Sequence, residues 1–400
     1  MKIDKKTLAI VLIVGFLMLS CSIVSAFAAT TWTTTSIDTT VAYPYTVSLA
    51  LDGSGNPYIA YTNSAGDIMY ASNTGSGWTT QQVATNGMTS SPYVSLAIDS
   101  SGNPHISYYT SSYTLAYAYL SGGTWTVQTV DSNTIAGMYN SIALDSSGNP
   151  HISYYESSST YPTSLMYASW TGSAWTTTQV DNSGACSWTS LAFDQSGNAH
   201  ISYKEGGHLK YASLSGSTWS TTTVDSSDSY IGYYTSLAFS PTTGYPSISY
   251  YDASNYYLKL ATWTGSAWST QVVDSGTEVG EYTSLAFTTQ GNPGISYIDF
   301  GHGYLKLAYW TGSAWNIQVV DSAANDGTGN CNPTSLAFNA NGTPSIAYVA
   351  SHMSTNTVKF TTGVGSPFPM PEYAYGALIA LAACFAAMAV LTVVKKRLHK

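Results

Sequence analysis

Charged side chains are scarce in this 400-residue chain, and most of the positive ones lie at its two ends. Asp, Glu, Lys and Arg make up 8% of the residues, whereas aromatic residues make up 14%. The body of the chain (residues 29–371) holds 5 lysines, no arginine and 19 acidic residues. Its net charge of 5 − 19 = −14 excludes a nucleic-acid partner, because nucleic-acid binding requires a basic surface.

Cysteine is scarce as well. Only two of the four cysteines, Cys186 and Cys331, fall in the body. Each lies four residues before the Ser-Leu-Ala of a repeat described below, and the two repeats are three apart. In a ring of repeats these places are nearly opposite, whereas the Cα atoms of a disulfide lie within about 7 Å. We therefore expect both thiols to be free, although export would permit a disulfide.

The chain lacks the common enzyme signatures. It contains no G-x-S-x-G, no H-E-x-x-H and no phosphate-binding glycine loop. Nothing indicates a cofactor or a metal site. Paired carboxylates could hydrolyse glycosides, but acids that recur in successive repeats are not typical of a catalytic pair. The sequence therefore favours a binding protein over an enzyme.

The N-terminus has the pattern of a signal peptide. Three lysines among the first six residues precede an apolar run from Leu8 to Leu19, and Ala26-Phe27-Ala28 follows as a cleavage motif. These features predict a signal peptide over residues 1–28. Lipoprotein attachment at Cys21 is the alternative.

The C-terminus has the pattern of a membrane anchor. Residues 374–394 are uncharged and apolar, and about 20 such residues suffice to span a bilayer as a helix. A linker over residues 363–373 precedes this segment, and a basic tail over residues 395–400 follows it. Positive charge stays on the cytoplasmic side, so we expect a single-pass protein of the cell membrane with an extracellular body. A buried core helix is the alternative.

The body consists of seven copies of one repeat. Each copy opens with Ser-Leu-Ala or Ser-Ile-Ala, turns at a Gly-Asn-Pro-like segment, and ends in a strand that begins with Trp. The marker serines are Ser48, Ser95, Ser141, Ser190, Ser236, Ser284 and Ser335. Four short strands in a repeat of this length are typical of propeller blades. The sequence predicts an all-β, seven-bladed β-propeller over residues 29–362.

The count of strands predicts how the ring closes. The first Trp strand, Trp32 to Asp38, precedes every marker serine, and the last repeat stops after its third strand near Phe360. All seven blades have four strands only if the N-terminal strand completes the last blade. That closure removes exposed sheet edges.

The candidate binding residues collect at one mouth of the central channel. If the strands of a blade are named A to D outward from the channel, the D–A and B–C connections share one face, here called the upper face. Aromatic residues stand two positions before five marker serines, and acids stand four positions after the strand-B isoleucine in four blades. The aromatic residues are Tyr93, Tyr139, Trp188, Tyr234 and Tyr282, and the acids are Glu156, Glu205, Asp252 and Asp299.

Aromatic rings beside carboxylates suit carbohydrate, because sugars have apolar faces and hydroxyl donors. The alternative is structural. In that case the aromatic rings plug the channel, and the acids pair with Lys210, Lys259 and Lys306 across each B–C hairpin.

Two further sets of residues recur. His105, His151 and His200 begin strand B in three blades, but adjacent blades are expected to hold them too far apart for one metal ion. Aspartates before the A–B turn, such as Asp145, are expected to cap that turn. Aspartates six residues after six of the seven strand-opening tryptophans, such as Asp181, are expected to be structural.

Two segments resemble known families. The A–B hairpin from Leu144 to Tyr154 resembles hairpins of NHL and related secreted propellers. The segment Pro369-Met370-Pro371-Glu372-Tyr373, with its helix and basic tail, resembles archaeal PEF-type sorting signals, although Tyr373 stands where Phe is usual. This second resemblance implies a membrane sortase as a partner. Sialidase propellers are similar in architecture, but the arginines that bind their substrate have no counterpart here.

These observations favour a cell-surface binding module for glycans or other surface proteins. An extracellular glycoside hydrolase or lyase, and a structural coat component, are the alternatives.

Overall fold

The chain folds into seven four-stranded antiparallel sheets arranged as the blades of a propeller. The computed structural model describes residues 31–41, 46–88, 92–133, 135–157, 163–324, 333–352 and 355–364. The innermost strands of successive blades contact one another, and the last of them contacts the first. The predicted all-β, seven-bladed fold is confirmed.

Strands are numbered in chain order, and the two inner strands of each blade are A and B. The seven A strands are β2 (Val47–Leu51), β6 (Val94–Ile98), β10 (Ala136–Leu144), β14 (Cys186–Phe193), β18 (Ile231–Phe239), β22 (Val279–Phe287) and β26 (Thr334–Phe338). The seven B strands are β3 (Pro57–Thr62), β7 (Pro104–Tyr109), β11 (Pro150–Glu156), β15 (Ala199–Glu205), β19 (Pro246–Asp252), β23 (Pro293–Asp299) and β27 (Pro344–His352).

The two outer strands of each blade are C and D. The seven C strands are β4 (Ile68–Ser72), β8 (Leu115–Ser121), β12 (Ser164–Trp170), β16 (His208–Ser215), β20 (Tyr257–Trp263), β24 (Tyr304–Trp310) and β28 (Thr355–Val364). The seven D strands are β5 (Thr79–Ala84), β9 (Thr124–Asp131), β13 (Trp175–Asp181), β17 (Thr218–Asp225), β21 (Trp268–Asp274), β25 (Trp315–Asp321) and β1 (Thr31–Val41).

The N-terminal strand closes the ring. β1 pairs antiparallel with β28, with Trp32 opposite Gly363 and Asp38 opposite Val358, so the last sheet has the order β1-β28-β27-β26. This is the predicted closure. β28 ends and β1 begins at the lower face, opposite the mouth that carries the aromatic residues. The sheet reaches Val364, slightly beyond the predicted boundary at residue 362.

The hydrophobic core lies between the blades. Each of the seven junctions contains a cluster of buried apolar side chains drawn from two neighbouring sheets. At the junction of blades 4 and 5, Leu209 packs with Ile231, Ile248 and Tyr250, all of which are fully buried. Each such aliphatic side chain stabilises the fold by about 1.5–3 kcal/mol. Because the inner strands are covered on both faces, they need apolar residues at most positions.

The A–B turns are capped as expected. The Oδ1 atom of Asp145 accepts the backbone N–H groups of Ser147 and Asn149, each at 2.8 Å, and Gly148 between them has a φ of 81°. Burial alone would raise the pKa of Asp145, but the hydrogen bonds from Asn149 outweigh it and hold that pKa below its usual value. Asp52, Asp99 and Asp194 make the same turn.

Several sequence predictions fall outside the described residues. These are the signal peptide over residues 1–28, the linker from residue 365 onward, the membrane helix over residues 374–394, the basic tail, and Cys331. The other body cysteine, Cys186, is buried and free, and burial raises the pKa of its thiol to about 12. Within the seven described ranges, no helix is long and apolar enough to cross a membrane.

Candidate functional site

The upper end of the central channel is a cavity of about 350 Å³ to which all seven blades contribute. Its walls are the marker serines of blades 1 to 6 with the two residues before each of them, and Pro333 and Thr334 of blade 7. From the rim inward these are the aromatic position, a small polar or valine residue, and the marker serine. A site of this kind is formed by the ring as a whole, and no single repeat contains it.

The five predicted aromatic residues form a continuous arc around the rim of this cavity. They are Tyr93, Tyr139, Trp188, Tyr234 and Tyr282. Their ring centroids follow one another at 4.6, 5.0, 5.5 and 4.2 Å. Thr46 of blade 1 and Pro333 of blade 7 occupy the same position, so one side of the rim is aromatic and the other is not. The structure brings the aromatic set together; its role as a ligand site stays a prediction.

The arc depends on an unusual backbone. Tyr139, Trp188, Tyr234 and Tyr282 have φ values of 53°, 48°, 53° and 52°, in the left-handed region that non-glycine residues rarely adopt. Each lies in a β-bulge. In β10, for example, Met138 pairs with Tyr155 and Ser141 pairs with Ser153. Tyr139 and Asn140 therefore face the single residue Tyr154 between them. Such a conformation costs of order 1–3 kcal/mol per residue. The repeat pattern located these aromatic residues, but nothing in it indicated the strained backbone.

Hydrogen bonds from the next blade hold each bulge. The hydroxyl of Thr189 donates to the carbonyl oxygen of Tyr139 at 2.8 Å, and that of Thr235 donates to the carbonyl oxygen of Trp188 at 2.8 Å. Asn140, Thr283 and Thr334 make the corresponding bonds. Every strained carbonyl is therefore fixed by the neighbouring sheet, and the rim is preorganised.

The marker serines form a second ring of hydrogen bonds, deeper in the cavity. The Oγ atom of Ser48 accepts the backbone N–H of Leu96 at 2.9 Å, and the pattern repeats around all blades until Ser335 accepts from Leu49 at 3.0 Å. The intervening bonds are made by Ser95, Ser141, Ser190, Ser236 and Ser284. The serine that marks each repeat thus joins its A strand to the A strand of the next blade by a hydrogen bond.

The four predicted acids are not part of the cavity wall. Three of them bind lysines across the B–C hairpin, as the structural alternative predicted. Lys210 lies 3.1 Å from Glu205, Lys259 lies 3.7 Å from Asp252, and Lys306 lies 2.6 Å from Asp299. The fourth acid, Glu156, has Met166 at the position of these lysines, and burial raises its pKa.

These lysines also bridge the blades. Lys259 Nζ lies 2.6 Å from Asp225 of the preceding blade, and the hydroxyl of Tyr250 donates to the same carboxylate at 2.6 Å. Burial alone would raise the pKa of Asp225, but the hydrogen bonds from Lys259 and Tyr250 lower it to about 2. Asp181, Asp274 and Asp321 make the same pair of contacts. The aspartate that ends strand D is structural, as expected.

The recurring histidines lie away from the cavity. His151 Nδ1 is 2.6 Å from the hydroxyl of Tyr167, its Nε2 is 3.5 Å from Asp145, and its ring packs edge-on against Phe193 of the next blade. His105 and His200 are held in the same way. Burial lowers the pKa of all three imidazoles. Over the described ranges, no group of three or more potential metal ligands occurs.

Sequence reasoning missed Lys204. Its Nζ lies 4.7 Å from the ring centroid of Tyr233 and 5.8 Å from that of Trp188, so a cation stands directly beside the aromatic arc. Burial lowers the pKa of this ammonium group. The repeat contained a signal for this residue. Blades 3 and 5 have Tyr155 and Tyr251 at the corresponding position, so a lysine in blade 4 departs from the pattern of its neighbours.

Solved structures similar to this chain include lectins. The lectin of Aleuria aurantia, described as a six-bladed β-propeller with a novel mode of fucose recognition, aligns at 15% identity over 71% of this chain and 98% of its own, with a TM-score of 0.51. A mutant of AofleA from Arthrobotrys oligospora aligns at 11% identity over 72% and 90%, also at 0.51. The SapL1 lectin in complex with α-methyl fucoside aligns at 12% identity over 71% and 98%, at 0.50.

At these identities the likeness shows the β-propeller fold alone. The aligned 71% of 400 residues is 284 residues, close to the 287 residues from Ser48 to Thr334 that contain six repeats. No protein-family model and no curated protein sequence matches this chain. The resemblances to NHL propellers and to archaeal sorting signals are not shown by these comparisons and stay predictions.

Proposed function

We propose that this protein is a carbohydrate-binding module whose ligand site is the cavity at the upper mouth of the propeller. The observation that carries the proposal is the arc of five aromatic side chains around a cavity of about 350 Å³. Ligand cavities of roughly 300–1,000 Å³ lined by aromatic side chains and a few polar groups are typical of small-molecule sites. Two of the similar solved structures are described as lectins, one with a mode of fucose recognition and the other in complex with α-methyl fucoside, which supports a glycan as the ligand here.

Backbone strain supports the same conclusion. Four rim residues are held with positive φ, and strain of this kind concentrates at binding sites, where the surrounding structure over-determines it. A simple channel plug needs apolar bulk, which a residue in ordinary strand geometry can supply. The bulges instead aim rings at a common space and fix them with hydrogen bonds from the next blade.

A hydrolase or lyase is less well supported. The four acids at the ends of strand B lie outside the cavity wall, and three of them are held by lysines. A neutralised carboxylate that is fixed in an ion pair is a poor nucleophile or base.

The proposed place of action is the cell surface. The predicted signal peptide and C-terminal membrane helix motivate this part of the proposal. Within the described residues, the propeller sheets begin and end at the lower face, at Thr31 and Val364, opposite the aromatic mouth. Partner proteins that carry glycans would be bound through the same mouth.

A glycan array probed with the full-length protein in detergent tests the proposal. Trp188→Ala and Tyr234→Ala should each weaken the binding of any glycan found by about tenfold or more, because stacking on an aromatic ring contributes on the order of 1 kcal/mol. Tyr230→Ala is the matched control, since Tyr230 is 60% exposed on the upper face but does not line the cavity. Normal glycan binding by both cavity variants would place the site elsewhere.

A further inference from the structure

The lysines of the propeller fall into two classes. Lys210, Lys259, Lys306 and Lys359 each lie within 2.6–3.3 Å of at least one carboxylate. Lys204 is the remaining lysine of the body, and it has no described carboxylate within ion-pair distance. The acid next to it in sequence, Glu205, is bound to Lys210 at 3.1 Å.

The lack of an ion pair at Lys204 is notable because acids are plentiful. The body carries 19 carboxylates and only 5 lysines, with no arginine. Lys204 is nonetheless half-buried, and its described contacts are the faces of Tyr233 and Trp188. A cation over an aromatic ring gains about 0.5–2 kcal/mol, which holds the ammonium group in place without neutralising its charge.

The position of Lys204 connects it to the cavity. Trp188 lines the cavity wall, and the Lys204 ammonium lies 5.8 Å from the centre of the same indole ring. Trp188 also contacts Tyr233 at 4.7 Å. A sugar ring stacked on Trp188 would therefore place a substituent on one edge beside a fixed positive charge.

We propose that the upper mouth prefers acidic carbohydrate, a sugar that carries a carboxylate, and that Lys204 recognises this group. This inference rests on the proposed carbohydrate-binding function. The body as a whole repels anions through its net charge of −14. One isolated ammonium group in that field suits a ligand with a single carboxylate per bound residue, and a polyanionic sulfated chain would be repelled by the surrounding acids.

The test uses pairs of ligands that differ only in charge. The full-length protein in detergent is titrated with oligogalacturonate, oligomannuronate, a hyaluronan tetrasaccharide and 3′-sialyllactose, each beside its carboxyl methyl ester. The wild-type protein should bind at least one free acid about tenfold more tightly than its ester at low salt. High salt should reduce this preference, because it screens exposed charges.

Three variants assign the preference to its residue. Lys204→Met should bring the ratio of acid to ester affinity close to one, while Lys204→Arg, which keeps the charge, should retain the preference. Tyr230→Ala, on the same face but outside the site, should bind like the wild type. Unchanged circular dichroism of Lys204→Met would show that the fold is intact.

The outcomes separate this inference from the proposed function. If acid and ester bind equally well, or if Lys204→Met keeps the preference, acidic recognition by Lys204 is wrong and the carbohydrate site stands. Lysine-dependent binding of sulfated oligosaccharides alone would overturn the assignment of a carboxylate. If no glycan of either charge binds at any salt concentration, both the carbohydrate function and this inference fail.

Discussion

The blade junctions and the cavity mouth are both built from residues that recur once per blade, but they use recurrence in different ways. At six junctions an aspartate accepts a hydrogen bond from a tyrosine of the next blade. At four of them a lysine of that blade binds the same carboxylate, as Lys259 does at Asp225. At the mouth, the corresponding residues of successive blades point into one shared space. Blades 1 and 7 supply Thr46 and Pro333 where blades 2 to 6 supply aromatic rings.

The difference follows from what each place must do. Every junction solves the same packing problem, so similar residues serve at each. The mouth is one site assembled from seven contributions, so its members can differ and a varied wall can bind an asymmetric ligand. One junction lacks the aspartate altogether. Ala84 ends strand D of blade 1, where other blades have aspartate, and burial raises the pKa of its would-be partner Tyr108 to about 12.

Removing the closing strand should break the junctions most severely. Deletion of residues 29–40 removes the outer strand of blade 7, with the buried contacts of Trp32 and the bond from Tyr61 to Asp38. We expect a loss on the order of 5 kcal/mol, or roughly 10 °C in melting temperature. Thermal melts followed by circular dichroism measure it, with deletion of residues 1–28 alone as the control. Equal melting temperatures for the two deletions would refute ring closure by this strand.

A matched pair of lysine variants compares the two regions directly. Lys259→Met leaves the buried carboxylate of Asp225 without its cation, and breaking a buried ion pair from one side costs about 4 kcal/mol. Lys204→Met removes a cation that no described carboxylate binds, so we expect a loss of only about 0.5–1 kcal/mol. Chemical denaturation of both variants measures the difference. Similar losses in the two variants would mean that Lys204 is structural.

A carboxyl group near the arc should make stability depend on pH. Burial, and then the charge of Glu278, raise the pKa of Glu281 from 4.5 to about 7. The folded state therefore binds a proton more tightly than the unfolded state, and stability should fall as the pH rises from about 4.5 to about 7. Since each pKa unit corresponds to about 1.4 kcal/mol, the loss is as much as about 3 kcal/mol.

Denaturation of the wild type and of Glu281→Gln at pH 5 and pH 8 measures this loss. The glutamine variant should lack the Glu281 part of the dependence, while titration of the buried histidines is common to both proteins. An identical pH dependence in the two proteins would contradict the raised pKa.

The smallest expected effect tests the strained backbone at the mouth. Trp188 has a φ of 48°, which glycine adopts freely and alanine does not. Trp188→Gly should therefore be more stable than Trp188→Ala by about 1 kcal/mol, although both lose the ring. In ordinary strand geometry glycine is the less stable of the two by roughly 0.5–1 kcal/mol. The sign of the difference in unfolding free energy thus decides whether the bulge is strained.

Much of the fold could be predicted because the same sequence repeat occurs seven times. The markers from Ser48 to Ser335, the seven Trp strands and the missing last strand together required a closed ring. The aromatic positions of the mouth followed from the same periodicity. The ion pairs of Lys210, Lys259 and Lys306 were predicted as an alternative. Only the tertiary structure could decide whether the acids line the cavity or pair with lysines across the B–C hairpins.

The number of blades, the closing strand and the acidic, arginine-free character of the body all follow from the sequence. They depend only on the number of repeats, the number of strands in each repeat and the amino-acid composition. The tertiary structure alone decided the bulges at Tyr139 and Trp188, the hydrogen-bond rings around the channel, and the place of Lys204 over Tyr233. These features arise between blades, where residues 29 to 47 positions apart in the chain come into contact. No local pattern records such contacts, because they are made only when the ring closes.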